Sequence, residues 1–367
     1  MRSVNGLRVR GLVKRGMAHA LFWTGSDGLL GSLADHVGSV AVLGYHRVVD
    51  DFDVEADRTI PAMLVTTRML EEQLEWIGRR FRFVDLDELG KRLESGDTVE
   101  RVAAVTFDDG YQDVYEHAYP LLRRKGIPCG VFVVTDRVGR RELLAHDRLY
   151  LGLRRAFARW PKPGEWLRRL LVGLRIEACG IERGAGAGST PGNAVVWFLR
   201  SLPQCEIQRV AEAVEAEVGV DAEAARGFLP MTWEMLAAMQ GGGVIVGSHT
   251  RTHAWLTLES KHRVGDELHG SRRDLESRLG VAVRHFAYPD GQFNREMTEA
   301  VAGAGYRFAY TTCGHRDARH PLLTIPRRML WQNACLDGRG RFSPAVLSCH
   351  VNGVFDLVRG CDHDHAA

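Results

Sequence analysis

Four side chains could carry out metal-assisted hydrolysis if the fold brought them together. Asp108 and Asp109 stand side by side directly after the apolar run Val102–Phe107, VAAVTF. Two carboxylates at the end of a buried segment are costly unless a cation or a metal meets them. His249 and His253 lie four residues apart in His249-Thr250-Arg251-Thr252-His253. That spacing lets both imidazoles face one way and reach one ion. Two imidazoles and one carboxylate make a common open site for a catalytic divalent cation. Water in the open position loses a proton more readily, and the second carboxylate can serve as its base. Each half alone is weak, since Asp-Asp-Gly is commonly a turn and a His pair is commonly a surface or capping feature. Together, each following an apolar segment, they point to a site.

The elements that must position these residues follow from periodicity. Strands are expected at Ser39–Tyr45, Val102–Phe107, Gly130–Thr135, Val244–Gly247, Arg284–Tyr288, Phe308–Thr312 and Leu323–Pro326. Several are continuous apolar runs rich in β-branched residues, the signature of a strand buried on both faces. Helical patterns separate them: Thr66–Phe81 with Thr67 as its cap, a helix from Asp85 or Asp87 to Glu94, Val114–Lys125, Thr232–Gln240, Lys261–Leu279 and Glu296–Ala304. Alternating strands and helices imply a parallel sheet or barrel, with the chemistry at the C-terminal strand ends. From about 141 to 228 the strand signal fades into helical pieces, read as an insertion, and Gly184–Gly192 reads as a flexible loop. The expected division is therefore a basic amphipathic segment at 1–38, barrel at 39–140 and 229–335, helical insertion at 141–228, and a C-terminal helix and tail at 336–367.

Composition narrows the function. The 367 residues are 45% hydrophobic and 26% charged, which is ordinary globular chemistry. The formal charge is +2, which argues against nucleic acid as the partner. Seven cysteines are scattered singly without a Cys-x-x-Cys pair, so neither a disulfide framework nor a thiolate zinc site is expected. No apolar run reaches membrane-spanning length. The basic N-terminus lacks a cleavage pattern, so the expected location is cytoplasmic. That segment would either pack on the main domain or make a peripheral membrane contact.

These residues resemble a known family, the polysaccharide deacetylases with the NodB-homology domain (carbohydrate esterase family four), in their exopolysaccharide-type branch. The resemblance lies in Thr106-Phe107-Asp108-Asp109-Gly110, in His249-Thr250-Arg251-Thr252-His253, and in Phe286-Ala287-Tyr288-Pro289 preceded by Arg284. Tyr45-His46-Arg47-Val48 and Met231-Thr232-Trp233 also match that branch. It covers about 40–140 and 229–335. It implies an α/β fold, a distorted (β/α)7 barrel, here with a helical insertion, and hydrolytic removal of N-acetyl groups from amino sugars. Carried over by motif, Asp108 is the base that activates metal-bound water. Asp109, His249 and His253 hold a divalent metal, most often zinc. Arg284 pairs with Asp108, and the main-chain N–H of Tyr111 completes the oxyanion site. Tyr288, Pro289, His46 and Trp331 are expected to meet substrate.

One element of the family pattern is missing. The late Leu-x-His motif whose His protonates the leaving amine has no clear match, because Leu347-Ser348-Cys349-His350 has the wrong spacing. His350 and His46 are the candidates for that acid, alongside metal-bound water returning its proton through Asp108. Trp160, Trp166 and Trp197 read as core rather than as a sugar platform, and Cys361–His365 reads as a tail. The substrate is expected to be an N-acetylated glycan or glycolipid, or its lipid- or nucleotide-linked precursor. Two alternatives remain: an amide or formamide hydrolase acting on a non-polymer substrate, and a non-catalytic carbohydrate-binding protein on the same barrel.

Overall fold

A computed structural model describes residues 16–26, 40–97, 99–177, 190–219, 222–357 and 365. Its centre is a sheet of parallel strands: β1 (Val40–Tyr45), β2 (Val102–Phe107), β3 (Cys129–Val133), β4 (Ile245–Ser248), β5 (His285–Ala287) and β6 (Phe308–Thr311). The last stave, β7, is the stretch 325–329. Its first half, Ile325–Pro326, pairs with β6, and its second half, Arg328–Met329, pairs with β1. One extended segment thus joins the two open edges and closes seven staves into a barrel. The expected barrel is the one observed, and each expected strand is present with its ends moved by at most two residues.

Strand alternation sorts the apolar residues into two layers. Val42, Ala104, Phe132, Ala287 and Tyr310 fill the barrel interior, and Leu86 and Leu89 close its lower end. Leu43, Val105, Val131, Phe286 and Ala309 face outward, under the surrounding helices. Those helices are α1 (Thr67–Gly78), α2 (Leu86–Ser95), α3 (Tyr119–Lys125), α8 (Trp233–Gly241), α9 (Lys261–Leu279) and α10 (Arg295–Gly303), numbered to leave α4 to α7 for the region between β3 and β4. Their starts are set by side chains that accept otherwise unpaired N–H groups: Thr66 for α1, rather than the expected Thr67, Asp85 for α2 and Ser260 for α9.

Between β3 and β4 the described residues form helices without a strand: α4 (Ala145–Arg159), α5 (Pro163–Gly173), α6 (Pro191–Ser201) and α7 (Gln204–Val218). They enclose a core of their own, including Leu149, Leu153, Trp166, Leu167, Phe198, Val210 and Val214. Trp166 is buried there and stacks on Trp160, and its indole N–H donates to Glu217. These rings serve packing, as their helical setting predicts. Most of the expected Gly184–Gly192 loop lies outside the described residues.

The described part of the N-terminal segment is helical from 16 to 24. Ala18 packs with Val346, Cys349, Val354 and Phe355 around α11 (Pro344–Val351). No helix among the described residues is long and apolar enough to cross a membrane. Of the five described cysteines, Cys129, Cys335 and Cys349 are buried and Cys205 is exposed.

Candidate active site

The strand ends converge as parallel topology requires. Main-chain bonds continue past β2 and β4, from Asp108 N–H to Tyr45 O at 2.9 Å and from His249 N–H to Val133 O at 2.9 Å. Asp108, Asp109, His249 and His253 are therefore gathered at one rim, and all four are buried. The backbone there is strained in a way found at functional sites. Of five non-glycine residues with positive φ among the described residues, four cluster around this rim: Asp109, Thr250, His253 and Asp290. Gly110 completes the turn at φ 73°, and a β-carbon there would sit 2.9 Å from Val133 Cγ1. The third position of Asp-Asp-Gly must be glycine for both reasons.

Asp109, His249 and His253 each offer a ligand atom, and these atoms lie within 4.8 Å of one another. Asp109 Oδ1 is 3.6 Å from His249 Nε2 and 3.3 Å from His253 Nε2. Both Asp109 oxygens are buried without a hydrogen-bond partner, which is costly for a carboxylate unless a cation meets it. His249 Nδ1 lies 2.8 Å from Ala287 O, so Nδ1–H donates there and Nε2 is left bare toward Asp109. The residues present fit a divalent cation bound by two nitrogens and one carboxylate. Burial pushes the His249 imidazole down to about 4, which favours the neutral, ligating form. Burial opposes ionisation of Asp109, yet His253, His46 and His146 hold its carboxyl well below the ordinary range.

The loop carrying the two histidines is clamped from α9. Glu267 is fully buried, and its Oε2 accepts the main-chain N–H of Arg251 at 2.8 Å and of Thr252 at 2.9 Å. Its Oε1 accepts from Thr252 Oγ1 at 2.7 Å. On the other side, Gln204 Nε2, in the first turn of α7, donates to Thr252 O at 2.7 Å. Sequence reasoning missed Glu267. The available signal was an acidic residue on the apolar side of a helix, three residues after Val264 and one before Leu268.

The partner of Asp108 is Arg327, not Arg284. Arg327 Nη1 and Nη2 donate to Asp108 Oδ1 and Oδ2 at 2.6 and 2.7 Å, a two-pronged pair sealed from solvent. Burial raises the Asp108 carboxyl, but the charges of Arg327, His249 and His46 outweigh it and hold the group below its ordinary value. Arg327 stands in the middle of β7, where the closing segment crosses from one barrel edge to the other. Arg284 precedes β5, at the opposite end of the barrel from the strand termini. It lies half-exposed beside Asp87 at 3.4 Å, in a cluster with His285.

The other expected residues separate. Tyr111 follows the dyad, and segment 110–112 pairs antiparallel with 229–231 through Gln112 N–H to Leu229 O and Met231 N–H to Gly110 O. Its hydroxyl donates to Asp147 Oδ2 at 2.8 Å and lies 3.0 Å from His146 Nε2. The His146 ring is 4.9 Å from the His253 ring, a neighbour the sequence did not suggest. His46 follows β1 and acts electrostatically on both Asp108 and Asp109. Tyr288 and Pro289 are buried. The Tyr288 ring packs on Phe286 and Phe293 in the helix-facing layer, because alternation along β5 turns 286 and 288 outward. Trp331 is half-buried and meets His350 edge-on, and His350 in turn packs on Phe355.

Comparison with known proteins follows the same residues. A family model described as polysaccharide deacetylase matches residues 95–160 and 206–309. Two relatives are each named poly-beta-1,6-N-acetyl-D-glucosamine N-deacetylase. The one from Staphylococcus epidermidis is 30% identical over 109 residues, and one from Staphylococcus aureus is 29% identical over 109 residues. The aligned part is 28% of this chain and 38% of each relative, so the chain spans well under half their length. Among solved structures, the Streptococcus pyogenes deacetylase PplD in complex with acetate superposes with a TM-score of 0.53 at 17% identity, covering 85% of this chain and 97% of that one. The Bacillus cereus polysaccharide deacetylase BC0361 gives a TM-score of 0.50 at 16% identity, covering 85% and 68% of the two chains. At such identities the likeness is one of fold.

Proposed function

We propose, from the premise that this chain carries a polysaccharide deacetylase domain, that it hydrolyses N-acetyl groups from the amino sugars of a polysaccharide. The observation that carries this reading is the pair of adjacent, differently partnered carboxylates. Asp109 is buried and unpaired toward two imidazoles, whereas Asp108 is neutralised by Arg327. One carboxylate is disposed to hold a cation and the other to handle a proton.

Asp109, His249 and His253 would hold the divalent metal. Bound there, it would polarise the acetyl carbonyl and ease deprotonation of water. Zinc suits two nitrogens and a carboxylate, as do cobalt and nickel. Asp108 is the base, its charge kept available by Arg327, and it accepts the proton of the attacking water. The main-chain N–H of Tyr111 stabilises the oxygen that gains charge. His46 acts electrostatically on both carboxylates, which supports it as the acid we assign to the departing nitrogen. The amide C–N bond breaks, and acetate and a free amine leave.

The names of the staphylococcal relatives suggest a β-1,6-linked N-acetylglucosamine polymer as substrate, with lipid- or nucleotide-linked precursors as the narrower alternatives. Trp331, half-buried against His350, is the groove wall in this proposal. The test is acetate release from a panel running from nucleotide sugars to lipid-linked and oligomeric N-acetylhexosamines. Release that stops when metal is chelated and returns on adding zinc supports the reading. Release from none of them, by protein shown to bind zinc, contradicts it and favours another amide.

A further inference from the structure

The helical region between β3 and β4 touches the active rim at both of its ends. It enters through α4, whose first turn presents His146 and Asp147 to the Tyr111 hydroxyl. It leaves through 229–231, which pairs with 110–112. In that pairing Tyr111 and Pro230 face each other at a position without mutual hydrogen bonds, while Gln112 and Met231 make the bonds on either side. At such a position the N–H of the central residue points away from its partner segment. Among the described residues, no main-chain carbonyl accepts the Tyr111 N–H. It is held in place and left unpaired two residues after Asp109.

What fixes its direction is the side chain. The Tyr111 ring is buried, with the Arg47 guanidinium 5.7 Å from its centre. Its hydroxyl donates to Asp147 and so accepts from His146 Nε2–H, which leaves the phenol fully satisfied. Both partners are buried. A phenol anchored at its tip and a backbone anchored at 110 and 112 leave residue 111 little room to rotate.

We infer that His146 and Asp147 are positioning residues for the oxyanion donor. The first turn of the helical region grips the Tyr111 hydroxyl and thereby aims the Tyr111 main-chain N–H at the reacting carbonyl. This rests on the deacetylase reading and adds that the helical region is part of the catalytic apparatus. A donor displaced by about 1 Å loses on the order of 100-fold in rate, so the grip acts on kcat.

The experiment compares full-length wild type with Tyr111→Phe, Asp147→Asn and the double variant. Phe keeps the ring and the main-chain N–H, and Asn keeps the shape of Asp. Acetate release is followed on a β-1,6-linked N-acetylglucosamine oligomer, with bound zinc and Tm measured on the same preparations. We expect each single variant to lose about 10- to 100-fold in kcat with KM held within about twofold. Zinc content and Tm should stay near wild type, and the double variant should be no slower than the slower single one. Unchanged kcat overturns the inference. So do kcat losses that merely track lost zinc or lost folded protein, and so do losses that multiply in the double variant, since the two residues would then act separately. A wild type that releases no acetate overturns the deacetylase reading itself, and the inference with it.

Discussion

Arg327 donates from both of its terminal nitrogens to Asp108, and both partners are buried. Removing one member of such a pair strands a buried charge, at a cost of about 3–5 kcal/mol. Arg327→Ala should therefore lower both stability and kcat, whereas Arg284→Ala, which disturbs only a half-exposed contact with Asp87, should keep wild-type kcat. Urea unfolding alongside acetate release would show the contrast, and a slow Arg284→Ala enzyme would count against this assignment. Asp108→Asn keeps the shape and removes the base, so it should retain zinc while losing about 100- to 10,000-fold in kcat. Zinc loss in that variant would make Asp108 a ligand instead. The cluster of Asp109, His249 and His253 was legible in the sequence because its members sit in two short motifs whose spacing survives folding. The arginine was not. Arg284 lies close in sequence to the third motif, but it begins a parallel strand, and strand beginnings collect at the rim opposite the chemistry. The signal for Arg327 was a charged residue directly after the short apolar stretch Ile325-Pro326, at the end of an expected buried strand.

At the level of elements, α9 does more than cover the barrel. Glu267 takes two main-chain N–H groups and a hydroxyl from the loop between His249 and His253. Partners behind a metal's ligands typically set affinity by about 10- to 100-fold. Glu267→Gln should weaken zinc binding by that order, read by competition with a chromophoric chelator, with helix content unchanged. Unaltered affinity would make the clamp purely structural. A second element-level contact gives a pH signature. Asp87, at the start of α2, is drawn down to about 2, first by its hydrogen bond from His285 and opposed by partial burial. A depressed carboxyl stabilises the fold above its unfolded value of about 4, and that contribution disappears as pH falls through the folded value. Asp87→Asn should thus be less stable than wild type by a constant amount above about pH 4, with the gap narrowing below it. A gap that widens on acidification would refute the assignment. Strands and helices were legible here because their apolar periods are strong. The caps shifted by a residue, as with Thr66 in place of Thr67, because neighbouring hydroxyls compete for the same N–H groups.

Across the whole molecule, seven staves place the C-terminal strand ends on one rim, and 325–329 closes the ring while delivering Arg327 to it. Closure by a single segment that changes partner halfway is a long-range event that periodicity cannot reveal. The same holds for the return of the helical region onto Tyr111 and Thr252. What the sequence did contain was the order of strands and helices, and topology rules turned that order into a barrel. The most direct test of metal-dependent hydrolysis at this rim is acetate release from a β-1,6-linked N-acetylglucosamine oligomer by zinc-loaded protein, with Asp109→Ala as the matched control. Wild type should release stoichiometric acetate and free amine, and the variant neither product, while also failing to retain zinc. Equal release by wild type and Asp109→Ala would contradict it.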